Sequence, residues 1–220
     1  MGAGAWQAYL FWAGVCCAGL VTALIGEFRS STGVTIAGKL FAATAYITAA
    51  LSLGAMLTAY GRVMLVGMVF CWFGDLFLVS RKSRLLFLSG LVSFLAGHVA
   101  YTAAFVTRGV DTGTVLWALA LMAIFGWRVG AWLYPHVNQK MRMPVWLYLA
   151  AISVMMAMAA GTRAFDSNIL IVTGAMLFVL SDLAVARNRF VETSIVNRAV
   201  GLPLYFSAQL CLAASVAIQP

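Results

Sequence analysis

Charge is what this chain has least of. Only 9% of its 220 residues are Asp, Glu, Lys or Arg, while 64% are hydrophobic. A water-soluble domain carries roughly a quarter charged residues, so the scarcity excludes an ordinary globular domain and points to lipid as the solvent. Histidine is scarcer still, with only His98 and His136. A zinc hydrolase needs three or four suitable ligands, so no metal is expected. The four cysteines, Cys16, Cys17, Cys71 and Cys211, all fall within apolar runs. There they read as small hydrophobes, not as a disulfide framework or metal cluster. No GxSxG elbow, P-loop or dinucleotide fingerprint occurs, so no cofactor is expected. No lysine or arginine precedes the first apolar run, which therefore reads as a retained helix and not a cleaved leader.

What is present is apolar sequence in lengths that match a membrane. A helix crosses the hydrocarbon core with roughly 20 apolar residues, and about eight such segments occur by that yardstick. The expected spans are 5–26, 34–54, 60–80, 85–107, 112–134, 143–161, 167–186 and 198–218. The expected fold is all-α, a polytopic integral membrane protein of about eight transmembrane helices in one domain, 1–220, with membrane lipid around it. The net charge of +8 could suggest nucleic acid, but its distribution argues otherwise. Nine basic residues (Arg29, Arg81, Lys82, Arg84, Lys140, Arg142, Arg187, Arg189, Arg198) fall in alternate loops, against Arg62, Arg108 and Arg163 in the others. By the positive-inside rule the richer side is cytoplasmic and both termini are not. The expected location is a cell membrane, the bacterial inner membrane, and no nucleic-acid partner is expected.

Two apolar stretches carry an acid in matching frames. "CWFGDLFLVSRK" (71–82) places Asp75, and "FVLSDLAVARNR" (178–189) places Asp182, before basic residues. Gly67, Gly74 and Asp75 correspond to Gly174, Ser181 and Asp182. On the following segments "GLVSFLAGH" (90–98) resembles "GLPLYFSAQ" (201–209), setting His98 opposite Gln209. Tyr46 and Tyr148 match more weakly. Two halves, about 1–108 and 111–220, are expected, each with four helices. An even number makes them parallel repeats about the membrane normal.

Helical spacing places the polar residues on packed faces. Gly67, Cys71, Gly74, Asp75 and Leu78 form one stripe, Gly90, Phe94, Gly97, His98 and Tyr101 a second, and Gly201, Tyr205, Ala208, Gln209 and Leu212 a third. Small residues on such stripes let membrane helices approach closely. Asp75 and Asp182 lie about a turn and a half, ~8 Å, inside the basic end, and Lys39 and Arg128 lie at like depth. A polar pocket is expected there, floored by His98 and Gln209.

An ionised group at membrane depth costs roughly 2.5–3.5 kcal/mol on insertion scales, so its default reading is functional. The plain alternative is a structural ion pair joining either aspartate to Lys39 or Arg128. Lys39 and Arg128 are equally able to snorkel to the interface, His98 to serve helix packing, and Tyr101, Tyr148 and Tyr205 to fill space. What the aspartates offer is metal-free acid–base chemistry. A proton-coupled small-molecule or lipid transporter uses similar parts, since ionisable groups within repeated halves also build carriers. A non-catalytic lipid-binding protein is a third reading.

Lys39, "FGDLFL" (73–78), "SFLAGHVAY" (93–101), "GAMLFVLSDLAVARNRF" (174–190) and "LYFSAQ" (204–209) together resemble the YhhN family of multi-helix membrane proteins. One departure is "GKL" (38–40), where proline is expected after the lysine. The resemblance implies a lysoplasmalogenase, an ether hydrolase that cleaves the vinyl ether of a lysophospholipid to a fatty aldehyde and a glycerophospho-alcohol. A vinyl ether must be protonated on carbon, giving an oxocarbenium ion that water then attacks. Two carboxyl groups suit this, as they do in glycosidases by analogy. The resemblance thus implies Asp75 and Asp182 as catalytic acid and base, with Asp182 preferred as proton donor. His98 would orient an acid or the water. Gln209 and Tyr148 would hold glycerol hydroxyls, Lys39 and Arg128 the phosphate, with Tyr101 and Tyr205 in support.

Overall fold

A computed structural model of the chain describes residues 2–78, 83–164 and 169–217. Arg81, Lys82 and the tips of three expected spans (79–80, 167–168 and 218) lie outside them. Eight long helices follow in order: α1 (Ala3–Phe28), α2 (Thr32–Ser52), α3 (Ala59–Phe77), α4 (Arg84–Arg108), α5 (Thr112–Leu133), α6 (Gln139–Gly161), α7 (Leu170–Ala186) and α8 (Ile195–Ser215). Six of them start or stop for local reasons. Thr58, Ser83, Asp111, Asn138 and Ser194 cap α3, α4, α5, α6 and α8 with side-chain oxygens that accept first-turn N–H bonds. Gly54 and Gly109 follow α2 and α4 at φ 78° and 90°, conformations that a side chain disfavours. A five-residue π turn, Arg187–Val191, extends α7 toward α8.

Seven of the eight helices, α1 to α7 with their short terminal turns, are long and apolar enough to cross a membrane; the chain is an integral membrane protein. The eighth expected span does form a helix, α8, but it is not among those seven. Asn197, Arg198, Pro203, Tyr205 and Gln209 lower its hydropathy. The physical reason is position. Packed on α1, α2, α3 and α7, α8 buries most of its polar side chains against protein, where hydrogen bonds replace hydration.

Small residues decide the packing, because helices apolar all round have no hydrophobic stripe to mark the buried face. The helices pair in sequence as α1–α2, α3–α4, α5–α6 and α7–α8. A Cβ on Gly67 of α3 would stand 3.2 Å from the Gly97 carbonyl of α4, and one on Gly174 of α7 3.2 Å from the Ala208 carbonyl of α8. Further along, Gly90 faces Gly74 and Gly201 faces Ser181. These two hairpins therefore cross at corresponding residues. Tyr46, Tyr101, Phe178 and Phe206 fill the centre and are fully buried. α1 and α5 are outermost, exposing Leu10, Phe11 and Val21, and Leu116, Trp117 and Trp127, side chains suited to hydrocarbon. The "GKL" stretch lies in unbroken helix, with Gly38 pressed on the Ala23 backbone.

That contact leaves no room for a side chain. Gly38→Val is expected to part α1 from α2 and to cost about 1–3 kcal/mol, read as a lowered unfolding temperature in detergent. Gly14→Val, on an open face of α1, is the control and should leave the temperature near wild type.

Candidate active site

The two aspartates reach one cavity from different helices. It has a volume of about 230 Å³ and extends to residues beside the α1–α2 and α7–α8 connections, Glu27, Asn188 and Arg198; Lys39, Asp75, Tyr148, Asp182 and Tyr205 line it. Most of the remaining wall is apolar, with Phe125 and Val129 from α5 and Val145, Leu149 and Ile152 from α6.

Asp75 is almost completely buried. Its Oδ1 lies 2.9 Å from Lys39 Nζ, and Tyr205 donates to its Oδ2 at 2.6 Å. Behind Tyr205, Gln209 Nε2 donates to the phenol at 3.4 Å, and Tyr101 donates to Gln209 Oε1 at 2.7 Å. Every N–H and O–H in this row points toward Asp75, the arrangement an ionised carboxylate takes as a pure acceptor. The ion pair foreseen as the plain alternative therefore exists for Asp75, with Lys39 as the cation.

Asp182 sits differently. Its Oδ2 accepts from Tyr148 at 2.7 Å and lies 3.3 Å from His98 Nε2, which is itself 2.9 Å from the Tyr148 hydroxyl. The other ring nitrogen, Nδ1, faces Met155 Sδ at 3.2 Å. A proton on Nε2 satisfies this set, since Tyr148 then accepts from His98 and donates to Asp182. Among the described residues no lysine or arginine pairs with Asp182. Its side chain is 18% exposed, against 2% for Asp75. The frames match, yet one carboxylate is locked by a lysine and the other faces the cavity beside a phenol and an imidazole.

Of the residues singled out by sequence, Lys39, Asp75, Tyr148, Asp182 and Tyr205 line the cavity. His98, Tyr101 and Gln209 are fully buried behind it as supports, rather than forming its floor. Arg128 is the exception. It is exposed on α5 and is not part of the cavity wall, because Phe125, Val129 and Leu133 are the α5 residues that face the cavity. Tyr148, expected to hold glycerol hydroxyls, lines the cavity and donates to the Asp182 carboxylate. Two features escaped the sequence reading. Tyr46 touches the Tyr205 hydroxyl at 3.3 Å, and Glu27 pairs with Arg198 at 2.8 Å on the cavity wall. Glu27 is one of only six acids and ends an apolar span, a signal for the residue but not for its pairing with Arg198.

The fold and site define a polytopic helical membrane protein with a two-carboxylate cavity between its helices. Residues 34–216 match the YhhN family model, and the chain belongs to that family. It is similar to lysoplasmalogenase TMEM86A of Bos taurus, 33% identical over 156 residues, and to lysoplasmalogenase TMEM86A of Homo sapiens, 32% identical over 158. Each match covers 68% of this chain and 63% of the relative, so the chain matches a little under two thirds of those relatives' length. No solved structure matches.

Removing one member of the Lys39–Asp75 pair should leave a buried charge alone. Lys39→Met is expected to cost about 3–5 kcal/mol, and adding Asp75→Asn should recover much of the loss. The check is a double-mutant cycle on unfolding in detergent. Additive losses would show that the two charges are not coupled.

Proposed function

We propose that the chain is a lysoplasmalogenase, hydrolysing the vinyl ether of a lysophospholipid by acid–base work of Asp182 and Asp75. The observation that carries this reading is one cavity holding two carboxylates in unlike settings, beside an apolar wall with room for an alkenyl chain. The names of the relatives support the same substrate class.

Asp182, with no lysine or arginine partner among the described residues and reachable from the cavity, donates its proton to the outer carbon of the double bond. The π electrons form the new C–H bond and the ether oxygen shares the resulting positive charge. Asp75, held ionised by Lys39 and Tyr205, opposes that charge in a water-poor site where such an interaction is strong. It then takes a proton from the attacking water, giving a hemiacetal. Asp182, now a carboxylate, removes the hemiacetal hydroxyl proton while Asp75 returns its own to the departing glycerol oxygen. The products are a fatty aldehyde and a glycerophospho-alcohol, and both acids are reset. His98 and Tyr148 position Asp182; Gln209 and Tyr101 position Tyr205.

We also propose that the halves, about 1–108 and 111–220, are parallel repeats. The corresponding crossings of α3–α4 and α7–α8 support this. With α8 as an eighth crossing, the positive-inside bias favours a cytoplasmic cavity mouth and both termini on the other side. The phosphate then lies at the cytoplasmic interface and the chain among the helices.

Purified protein in detergent is expected to release aldehyde from lysoplasmenylethanolamine. Asp75→Asn and Asp182→Asn should each lower the rate by about 10²–10⁴ while remaining folded. Full activity in either variant overturns the paired-acid mechanism. A carrier would give flux into liposomes with no aldehyde.

A further inference from the structure

The cavity wall is polar at one end and apolar along one flank. Glu27, Asn188, Asn197 and Arg198 line it where α1 ends and α7 joins α8. On the apolar flank Phe87 of α4, Val129 and Leu133 of α5 and Val145 of α6 belong to one buried cluster, separate from the central core. Arg189 stacks on Phe87, 4.3 Å from the ring centroid, so this flank meets a cation beside the α7–α8 connection. Within the flank, α5 is set apart by how it is held. Its glycines face α6, where Gly126 meets Ser153 and Gly130 meets the ring of Trp146. Among the long helices, α6 is the one on which α5 packs extensively. The adjoining face of α5 carries Phe125, Val129 and Leu133 at every fourth residue, and it lines the cavity. Among the described residues no helix is locked against that face by small residues, as α4 is against α3 at Gly67 and Gly97.

We propose that the Phe125–Val129–Leu133 face of α5 is the subsite for the substrate's alkenyl chain, and that the chain leaves the protein beside α5 to end in the bilayer. The inference rests on the lysophospholipid reading above and adds where the chain goes. The cavity, about 230 Å³, is smaller than the roughly 300–1,000 Å³ that encloses a drug-sized ligand, so a long-chain lipid is not enclosed whole. The way inward is shut, since His98, Tyr101, Met155, Phe178 and Gln209 behind the aspartates are fully buried. The face of α5 is ~12 Å long at 1.5 Å per residue. One leaflet holds ~15 Å of hydrocarbon, so a chain of lipid length overruns that face. Passing beside α5 costs little, because the chain exchanges apolar side chains for lipid of the same apolar kind. Selection then falls on the carbons next to the vinyl ether, and length beyond α5 is not read.

The test follows the chain by length and by place. In phospholipid vesicles, wild type is expected to keep kcat/KM for aldehyde release within about threefold from tetradecenyl to eicosenyl glycerophosphoethanolamine, since the outer carbons stay in lipid. A fall of about tenfold or more for the longer chains marks a closed pocket and overturns the proposal. Val129→Trp narrows the path and should lower kcat/KM for a hexadecenyl substrate about tenfold more than for a butenyl one. Ile124→Trp, on the exposed face of α5, should keep the wild-type ratio. Equal losses for both chains in folded Val129→Trp overturn the proposal. A photolabel asks the same of wild type without any substitution. Saturated hexadecyl-glycerophosphoethanolamine carrying a mid-chain diazirine is expected to label Phe125, Val129 or Leu133, and unlabelled hexadecyl-glycerophosphoethanolamine should displace it. Displaceable labelling confined to other helices, or none at all, overturns the subsite. A wild type that releases no aldehyde from any of these substrates overturns the lysoplasmalogenase reading instead. The labelling needs no turnover and then judges the subsite alone.

Discussion

A lysine ammonium and an aspartate carboxylate meet at 2.9 Å inside a bundle whose outer surface is built for hydrocarbon. Much of the architecture answers to that contact. An ion pair at membrane depth must be covered by protein and supplied with further donors, or the cost of dehydrating it prevails. Tyr205 supplies a donor and Gln209 and Tyr101 back it. α8 is where two of these side chains sit, and its polarity is tolerable because neighbouring helices enclose it. Small residues bring those helices close enough. A Cβ on Gly74 would stand 2.6 Å from the ring of Phe94, and Phe94 in turn packs edge-on against Tyr205.

The two aspartates are served across the molecule. Asp75 of α3 takes its phenol from α8, and Asp182 of α7 takes its imidazole from α4. Each carboxylate is thus completed by a helix distant in sequence, and the cavity depends on α3–α4 and α7–α8 packing together. The exchange is also where the likeness between the α3–α4 and α7–α8 hairpins ends. His98 of α4 stands where α8 has Gln209, and Phe94 where it has Tyr205. Those differences give Asp75 a row of donors beside its lysine, and leave Asp182 with a phenol, an imidazole and a view of the cavity. A two-step reaction that needs one acid and one counter-charge can use such inequality.

Much of the site was legible beforehand because polar residues are so costly in this setting. Asp75, Asp182, His98 and Gln209 stand out against 64% hydrophobic sequence, and the glycine spacing around them gives each a face. Arg128 shows the limit. Its depth along α5 was readable, but its direction was not, since α5 is apolar on every side and one turn of the helix carries both Val129, inward, and Arg128, outward. Glu27 and Arg198 were hidden for the converse reason. Each resembles an ordinary charge at a helix end until α1 and α8 are brought together.

Composition and periodicity by themselves determined that the chain is helical, that it lives in a membrane, and that two acids lie on packed faces near the basic ends of their helices. These follow from one-dimensional quantities, hydropathy and spacing, which lipid translates directly into helices. Only the tertiary structure decided the pairings: Lys39 with Asp75, Tyr148 and His98 with Asp182, and Glu27 with Arg198. Partner choice depends on which helices adjoin and how each is rotated. In a bundle of uniformly apolar helices that is settled by the fit of small residues against neighbouring backbones, a relation between segments distant in the chain.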